Sequence, residues 1–421
     1  MKPLRLELAE KIHAHRDQVK TWFQAQIRLN TPPFYSSIDL RNAGFKIGPV
    51  DCNLFPAGWN NVCEQDQNSI RGPLLKQLPP GTKRILFLPE LNTRNPFYLE
   101  NVASFVGFLE KAGLETRIGW PDPSQTHALD LVSQSGKKFR AEPLDFSDPT
   151  ALKIGDWTPD VILLNNDFSS GEPTFLKTVQ TPILPPYWMG WYRRKKGAFF
   201  KAYNNAVADF CKMIAMDPWP ISIDTVEVAP VNFNESQGLE SVAQTVDTML
   251  AKMREQYAQR SIDLEPQVFV KSYRGTYGMG VLVVKKGEDV LSLNRREKNK
   301  MSVGKNRLAI DGVIVQEAIP TDTKFEERAA EPVIYLLGCE LVGGFLRTHR
   351  DRGTVANLNS EGMILEKLCM SALESELQKG IDPQHPQHDM LLKLVVGSIA
   401  RLSSLAAGIE IAASRSQTRV S

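Results

Sequence analysis

Apolar residues recur at helical spacing over residues 5 to 28, and the run stops before "NTPP", where Pro32 and Pro33 cannot continue a helix. The next stretch, "FYSSIDLRNAGFKIGPVDCNLFPAGWNN" (34–61), alternates apolar positions with Asp39, Arg41, Lys46, Asp51, Gly and Asn, which predicts loops and short strands. A continuous apolar run, "KRILFLPE" (83–90), reads as a buried strand. The helical pattern of "NPFYLENVASFVGFLEKAG" follows it and ends at Gly113. "ETRIGW" and "PDVILLNNDFSSG" (159–171) add two more strands. Strand, helix and strand in succession predict a parallel α/β unit over 81–185, with ligand groups at the carboxyl ends of its strands.

From 186 to 260 the pattern is helical, with an aromatic and basic start, "PPYWMGWYRRKKGAFF", and a strong helix in "LESVAQTVDTMLAKMREQYAQR". Beyond 261, short β runs dominate: "QVFVKSY", "GVLVVKKG", "GVIVQEAI", "EPVIYLLG" and "ELVGGFLRTH", separated by turn residues. They predict an antiparallel sheet closed by a terminal helix. The chain therefore divides into a leading helix and loops (1–80), a parallel α/β domain (81–185), a helical connector (186–260) and an antiparallel-sheet domain (261–421). The fold class is mixed α/β (α+β).

Composition narrows this picture. The chain has 421 residues, 42% of them apolar and 23% charged, as in an ordinary folded protein. A net charge of +2 from 50 bases and 48 acids creates no field for nucleic acid or an anionic membrane, and "RRKK" (193–196) is too short to change that. Five scattered cysteines without a CxxC pair argue against a disulfide framework and a zinc site, and point to a reducing cytoplasm. The charged start, "MKPLRLELAEKIHAH", lacks the apolar core of a signal peptide. "LLKLVVGSIARLSSLAAGIEIAA" (391–413) is interrupted by Lys393, Arg401 and Glu410 and reads as an amphipathic core helix, not a membrane span.

The sequence contains no G-x-x-x-x-G-K-[ST] phosphate loop, no G-x-S-x-G elbow and no H-E-x-x-H helix, and only one close pair among its six histidines. What remains is "VFVKSYRGTYGMGVLVV" (268–284). Lys271 closes one strand beside Gly275, Gly278 and Gly280, which let backbone N–H groups approach an anion. By itself the stretch reads equally as a plain hairpin with an exposed lysine. Downstream, the strand "GVIVQEAI" ends in Gln316 and Glu317, a pair suited to present backbone groups to an adenine edge and a carboxylate to a ribose. After it come a hairpin, Arg347, and Asn357 and Asn359, spaced to project from one side of an extended strand.

Lys271 with the GTYGMG flap, the Gln316–Glu317 hinge, and the hairpin ending in Arg347 and then "NLNSEG" resemble the ATP-grasp ligases, bacterial glutathione synthetase among them. "SSIDLRNAGFKIGPVDCNLFPAGWNN", "PELNTRNPFYLENV", "LLNNDFSSGEP", "GWYRRKKGAFF" and "DPWP" resemble, over nearly the whole chain, the glutamate-cysteine ligase family of iron-oxidising and related proteobacteria. The resemblance implies an ATP-grasp architecture, with a pre-ATP-grasp-like substrate domain at 81–185 and the ATP-binding domain at 261–421. It implies a cytoplasmic ligase that uses ATP and Mg2+ to join L-glutamate and L-cysteine through a glutamyl phosphate, the first step of glutathione synthesis. Lys271 and Arg347 then become the catalytic cations, with Gly275, Gly278 and Gly280 as the lid.

Arginine binds α-carboxylates bidentately, so Arg41, Arg94, Arg193 and Arg194 are substrate candidates, with Asn95 beside Arg94 and with Asn165, Asn166 and Asp167 at a strand end. Asn165 to Asp167 read equally as an Asx turn. The chain departs from the wider fold at the metal: Asn357-Leu-Asn359 stands where Glu-x-Asn is expected. Asn357, Asn359 and Glu361 are the metal candidates, and Glu331 or Glu410 are alternative sources of charge. The flap and hinge also fit an ATP-grasp ligase for another acid and amine, and the metal departure fits a nucleotide-binding regulator without turnover. A homo-oligomer is compatible with the sequence.

Overall fold

The structure is a computed structural model that describes residues 3–90, 97–274, 280–302, 310–360, 362–370 and 388–418, with side chains omitted at 388–393 and 416–418. Two consecutive helices, Leu4–Ala14 and Arg16–Leu29, replace the single leading helix expected; the chain breaks helical geometry at His15 (φ −108°, ψ 20°). The segment expected as loops and short strands forms two full strands, β1 (Tyr35–Asn42) and β2 (Ile47–Asn53).

The parallel unit follows as β3 (Arg84–Pro89), the helix Tyr98–Lys111, β4 (Glu115–Trp120), β5 (Leu129–Val132), β6 (Lys138–Pro143), β7 (Val161–Asn165) and β8 (Ile183–Leu184). Its strand order is β5-β6-β4-β3-β7-β8, parallel except for β5 against β6. The apolar runs Ile85–Leu88 and Val161–Leu164 are fully buried because both faces are covered. Gly113, at φ +89°, ends the helix as its position predicts.

The connector contains the helices Lys196–Met213 and Leu239–Gln259, and also a strand the sequence did not reveal, β9 (Thr225–Val228). β9 is the edge of a small antiparallel sheet with β10 (Val268–Ser272), β11 (Val281–Val284) and β12 (Val313–Glu317), ordered β11-β10-β12-β9. Alternation along β10 and β12 sends Val268, Val270, Val313 and Val315 into a core under helix Leu239–Gln259. Lys271 and Gln316 therefore come from opposite-parity positions.

The last strands are β13 (Lys324–Phe325), β14 (Arg328–Leu337), β15 (Glu340–His349) and β16 (Met363–Leu368). They do not form a separate C-terminal sheet. β1 pairs with β14, so residues 35–53 and 328–368 make one sheet ordered β16-β15-β14-β1-β2, with β13 on β14. Pairing between strands almost 300 residues apart carries no local sequence signal, which is why the division at residue 80 did not anticipate it.

One face of this sheet carries Ile38, Leu40, Ile334 and Leu336 into the largest core, shared with helix Lys196–Met213 and the terminal helix His388–Thr418. The segment Leu394–Arg415 is the one described helix long and apolar enough to cross a membrane, and 83% of its apolar window is buried inside the molecule. The other face is apolar at Tyr35, Val333, Tyr335 and Phe345, where it packs with the parallel unit. Further along the same strands it turns charged.

Candidate active site

The charged end of that face is built by register. Asp39 on β1 lies opposite Asp51 on β2 and Val333 on β14, while Glu331 on β14 lies opposite Arg347 on β15. The period of two places Asp39, Arg41 and Glu331 on the face shared with Val333 and Tyr335. The small sheet supplies the opposite wall, with Phe269, Lys271, Ser272 and Val281, and Lys196 enters from the start of its helix. Asn357 and Asn359 complete the lining.

Ion pairs tie these groups together. Arg347 Nη1 lies 2.8 Å from Asp39 Oδ2 and 2.7 Å from Glu331 Oε1, and Arg41 Nε lies 3.0 Å from Glu331 Oε2. Lys196 Nζ is 2.6 Å from Asp51 Oδ1. Lys271 Nζ donates to Gln316 Oε1 at 2.7 Å and to the Val50 carbonyl at 3.2 Å, and sits 4.7 Å from the centre of the Phe269 ring. Arg41 approaches the same ring at 5.5 Å and also donates to the carbonyls of Ile319, Val355 and Ala356.

Three carboxylates packed on one face behave differently. Burial pushes the Asp39 carboxyl up, against the pull of Arg347, and Glu331 and Asp51 add to the rise. Burial acts on Glu331 and Asp51 too, but Arg41 and Arg347 hold Glu331 below its ordinary value, and Lys196 does the same for Asp51. Burial brings the Lys271 ammonium down to about 7, against the attraction of Asp51. Like charges directly opposite one another destabilise a sheet, and Asp39 Oδ1 and Arg347 Nε are buried without a hydrogen-bond partner.

The structure brings Lys271, Arg347, Arg41, Asn357 and Asn359, each a candidate from the sequence, into this one cavity. Asn357 Oδ1 accepts the Asn359 N–H at 3.0 Å, so this pair also forms an Asx turn. Gly280 is at the root of the flap, at φ +62°, where an added Cβ would meet Ile310 Cδ1 at 2.8 Å. Gly275, Gly278, Arg94, Asn95 and Glu361 lie outside the described residues.

Other expectations are corrected. Glu317 is 1% exposed, pairs with Lys46 at 2.8 Å and accepts the Asp224 N–H, so its carboxylate is spent inside the protein and not offered to a ribose. Along the backbone, Gln316 pairs with Phe269 on β10 and Thr225 on β9, and the Glu317 N–H donates to the Asp224 carbonyl. Arg194 is equally committed: it binds both oxygens of Glu410 at 2.9 Å and the Cys52 carbonyl at 2.7 Å. That pairing removes Arg194 from the substrate candidates and Glu410 from the metal candidates. Asn165 is a buried hub joining Tyr35, Pro56, Tyr98 and Asn101. Asn166 and Asp167 accept the N–H groups of Phe168 and Ser169 in the Asx turn that was the alternative reading.

The cysteine reading missed one pair: Cys63 and Cys369, 306 residues apart, form a disulfide. Asp39, Asp51 and Lys196 were missed. Asp39 and Asp51 sit on alternating positions of β1 and β2, within the stretch read as loops and short strands, and an acid at an inward position of a strand was the available signal.

A second cleft of about 1100 Å³ lies beyond Lys196, between the start of its helix, the end of the terminal helix and Arg274 at the base of the flap. Arg193, Lys195 and Lys201 line it with Trp188 and Tyr192, and the Trp188 Nε1, Tyr192 Oη and Arg274 Nε atoms are buried without partners.

Lys271 on a small antiparallel sheet, set against a larger sheet that carries carboxylates and arginines, is the arrangement of an ATP-dependent ligase. The profile of one family, GshA, glutamate-cysteine ligase, matches residues 9–411, and the chain belongs to that family. A solved structure from Methylobacillus flagellatus KT, assigned provisionally as a γ-glutamylcysteine synthetase, is 35% identical, covers 98% of this chain and 97% of its own, and superposes with a TM-score of 0.87. Looser overlaps include the D-cycloserine synthetase DcsG (12% identity, 76% and 82% coverage, TM-score 0.35). Another is a glutathione synthetase-like effector from Globodera pallida (11%, 86% and 84%, 0.39). A comparison with curated proteins gave no match.

Proposed function

We propose that the cavity binds the triphosphate of ATP with Mg2+ and that the chain forms γ-glutamylcysteine through a glutamyl phosphate. The observation that carries this reading is the facing set of Asp39, Asp51 and Glu331 against Lys271, Lys196, Arg41 and Arg347, with Asp39 Oδ1 buried and unpartnered. Hard carboxylate oxygens suit Mg2+, which binds through one or two of them together with phosphate and water. Asp39, Asp51 and Glu331 fit as its holders, with Asn357 and Asn359 beside them. The metal would supply charge neutralisation of the phosphate oxygens.

The chain's own part is positioning and electrostatics. Lys271, on a rigid strand and backed by Gln316, contacts the phosphates. Arg347, held by two carboxylates, is aimed where charge develops on the transferred group. The γ-carboxylate of glutamate attacks the terminal phosphorus and ADP leaves; the cysteine amine then attacks the acyl carbon, phosphate departs, and the amine loses a proton. No protein nucleophile enters this scheme, in accord with the missing signatures. The cationic, aromatic-lined second cleft, with Arg193, suits an amino-acid carboxylate.

ADP release assayed over a panel of acids and amines tests the reading. Full-rate release should require both glutamate and cysteine. Equal release without cysteine, or faster release with another pair, overturns the assignment.

A further inference from the structure

Cys63 opens the short helix Glu64–Ser69 and is buried, whereas Cys369, directly after β16, is half-buried. Their Cα atoms lie 5.7 Å apart, within the span a disulfide bridges. A second link joins the same two segments: Asp66 accepts the Met370 N–H at 2.7 Å. The neighbour of Cys63 presses on β15, because Val62 Cγ1 lies 2.4 Å from where a Cβ on Gly343 would stand. The helix is thereby seated on the strand that carries Arg347 and fastened to the end of β16, its outer partner.

Among the described residues β16 is the edge of the large sheet, paired with β15 alone. Leu368 pairs with Gly344, and three residues along, roughly 10 Å at strand rise, Leu365 pairs with Arg347. The segment between β15 and β16 carries Asn357 and Asn359 into the cavity. The disulfide thus fixes the far end of the limb whose near end is the active site.

We propose that Cys63–Cys369 is a reversible thiol–disulfide switch, opened by small thiols, that sets the affinity of the cavity for nucleotide. A thiolate attacks the Sγ of Cys369, the less buried of the two residues, the S–S bond breaks, and Cys63 leaves as thiolate and takes a proton. A second thiol attacks the mixed disulfide and frees Cys369, so two small thiols become one small disulfide and the protein gains two hydrogens. Opening releases the end of β16, loosens the limb bearing Asn357 and Asn359, and weakens binding. Identifying the natural reductant as the enzyme's own thiol product rests on the reaction proposed above; the tether itself does not.

The test uses the full chain equilibrated in buffers of 2-mercaptoethanol and its disulfide. Intact mass and peptide mapping should show loss of two hydrogens at Cys63–Cys369 on oxidation. Calorimetry with ATP and Mg2+ should give affinity on the order of 5- to 10-fold tighter for the oxidised form, the scale of an ordinary coupling between sites. Cys369→Ser should hold the reduced value in every buffer. The proposal is overturned if the bond fails to form, if both states bind ATP equally, or if Cys369→Ser still responds. It is also overturned if the two thiols with Asp66 are found to retain zinc. A protein that makes no γ-glutamylcysteine but still splits into two affinities would sink the reaction and leave the switch standing.

Discussion

Lys271→Met keeps the length and apolar stem of the side chain and deletes its ammonium. In the free protein that ammonium rests 2.7 Å from Gln316 Oε1 and 3.2 Å from the Val50 carbonyl, so its position is set before any ligand arrives. A unit charge about 4 Å from a phosphate charge is worth about 4 kcal/mol at an effective dielectric of 20. Lost in the transition state, that is roughly three decades in kcat/KM at about 1.4 kcal/mol per decade. Burial brings the Lys271 pKa down to about 7, so free enzyme at neutral pH must take up protons as it binds ATP, and more so at higher pH. A coupled assay of ADP formation at several pH values, with calorimetry in buffers of different ionisation heat, measures both effects. The variant should lose the proton uptake along with the activity. Its stability should move the other way: the folded pKa lies below the unfolded value, so unfolded chains bind more protons between about pH 7 and about 10. Stability of the parent therefore rises with pH across that window, and the variant should lack this slope. A variant with parental turnover and unchanged proton uptake would refute the phosphate role of Lys271.

Three further outcomes are expected. Arg347→Met leaves Asp39 and Glu331 with fewer counter-charges and should cost about 3–5 kcal/mol in denaturant unfolding as well as activity, and an unaltered midpoint would contradict the buried pairing. Asp39→Asn should raise the Mg2+ concentration needed for half-maximal ADP formation and, because it removes one counter-charge of Arg347, should also lower the melting temperature; an unchanged Mg2+ titration would remove Asp39 from the metal site. Arg193→Ala should raise KM for an amino acid with little change for ATP, and the reverse pattern would take the second cleft out of substrate binding.

The legible parts of the site were those with local grammar. Lys271 was readable because a polar residue at the end of an apolar strand, beside glycines, has few structural reasons to be there. Arg347 was readable as the end of a hairpin. Glu317 was misread for the opposite reason: at the end of a buried strand it looks free, and only its distant partner Lys46 shows that its charge is consumed. Arg194 in "RRKK" likewise looked like one base among four, and nothing in that run points to Glu410, 216 residues away.

Alternation and apolar runs by themselves determined that this chain builds a parallel unit, antiparallel strands after it and a buried terminal helix, because periodicity is a property of neighbouring residues. Only the tertiary structure decided that β1 and β2 join β14 and β15 in one sheet. That pairing sets the Asp39 and Asp51 of one hairpin beside the Glu331 and Arg347 of the other, and turns toward Lys271 the charges that make a site. It also brought Cys63 to Cys369. Both results come from contacts hundreds of residues apart in the chain, whose energy lies in register and burial and leaves no trace in the spacing of either partner.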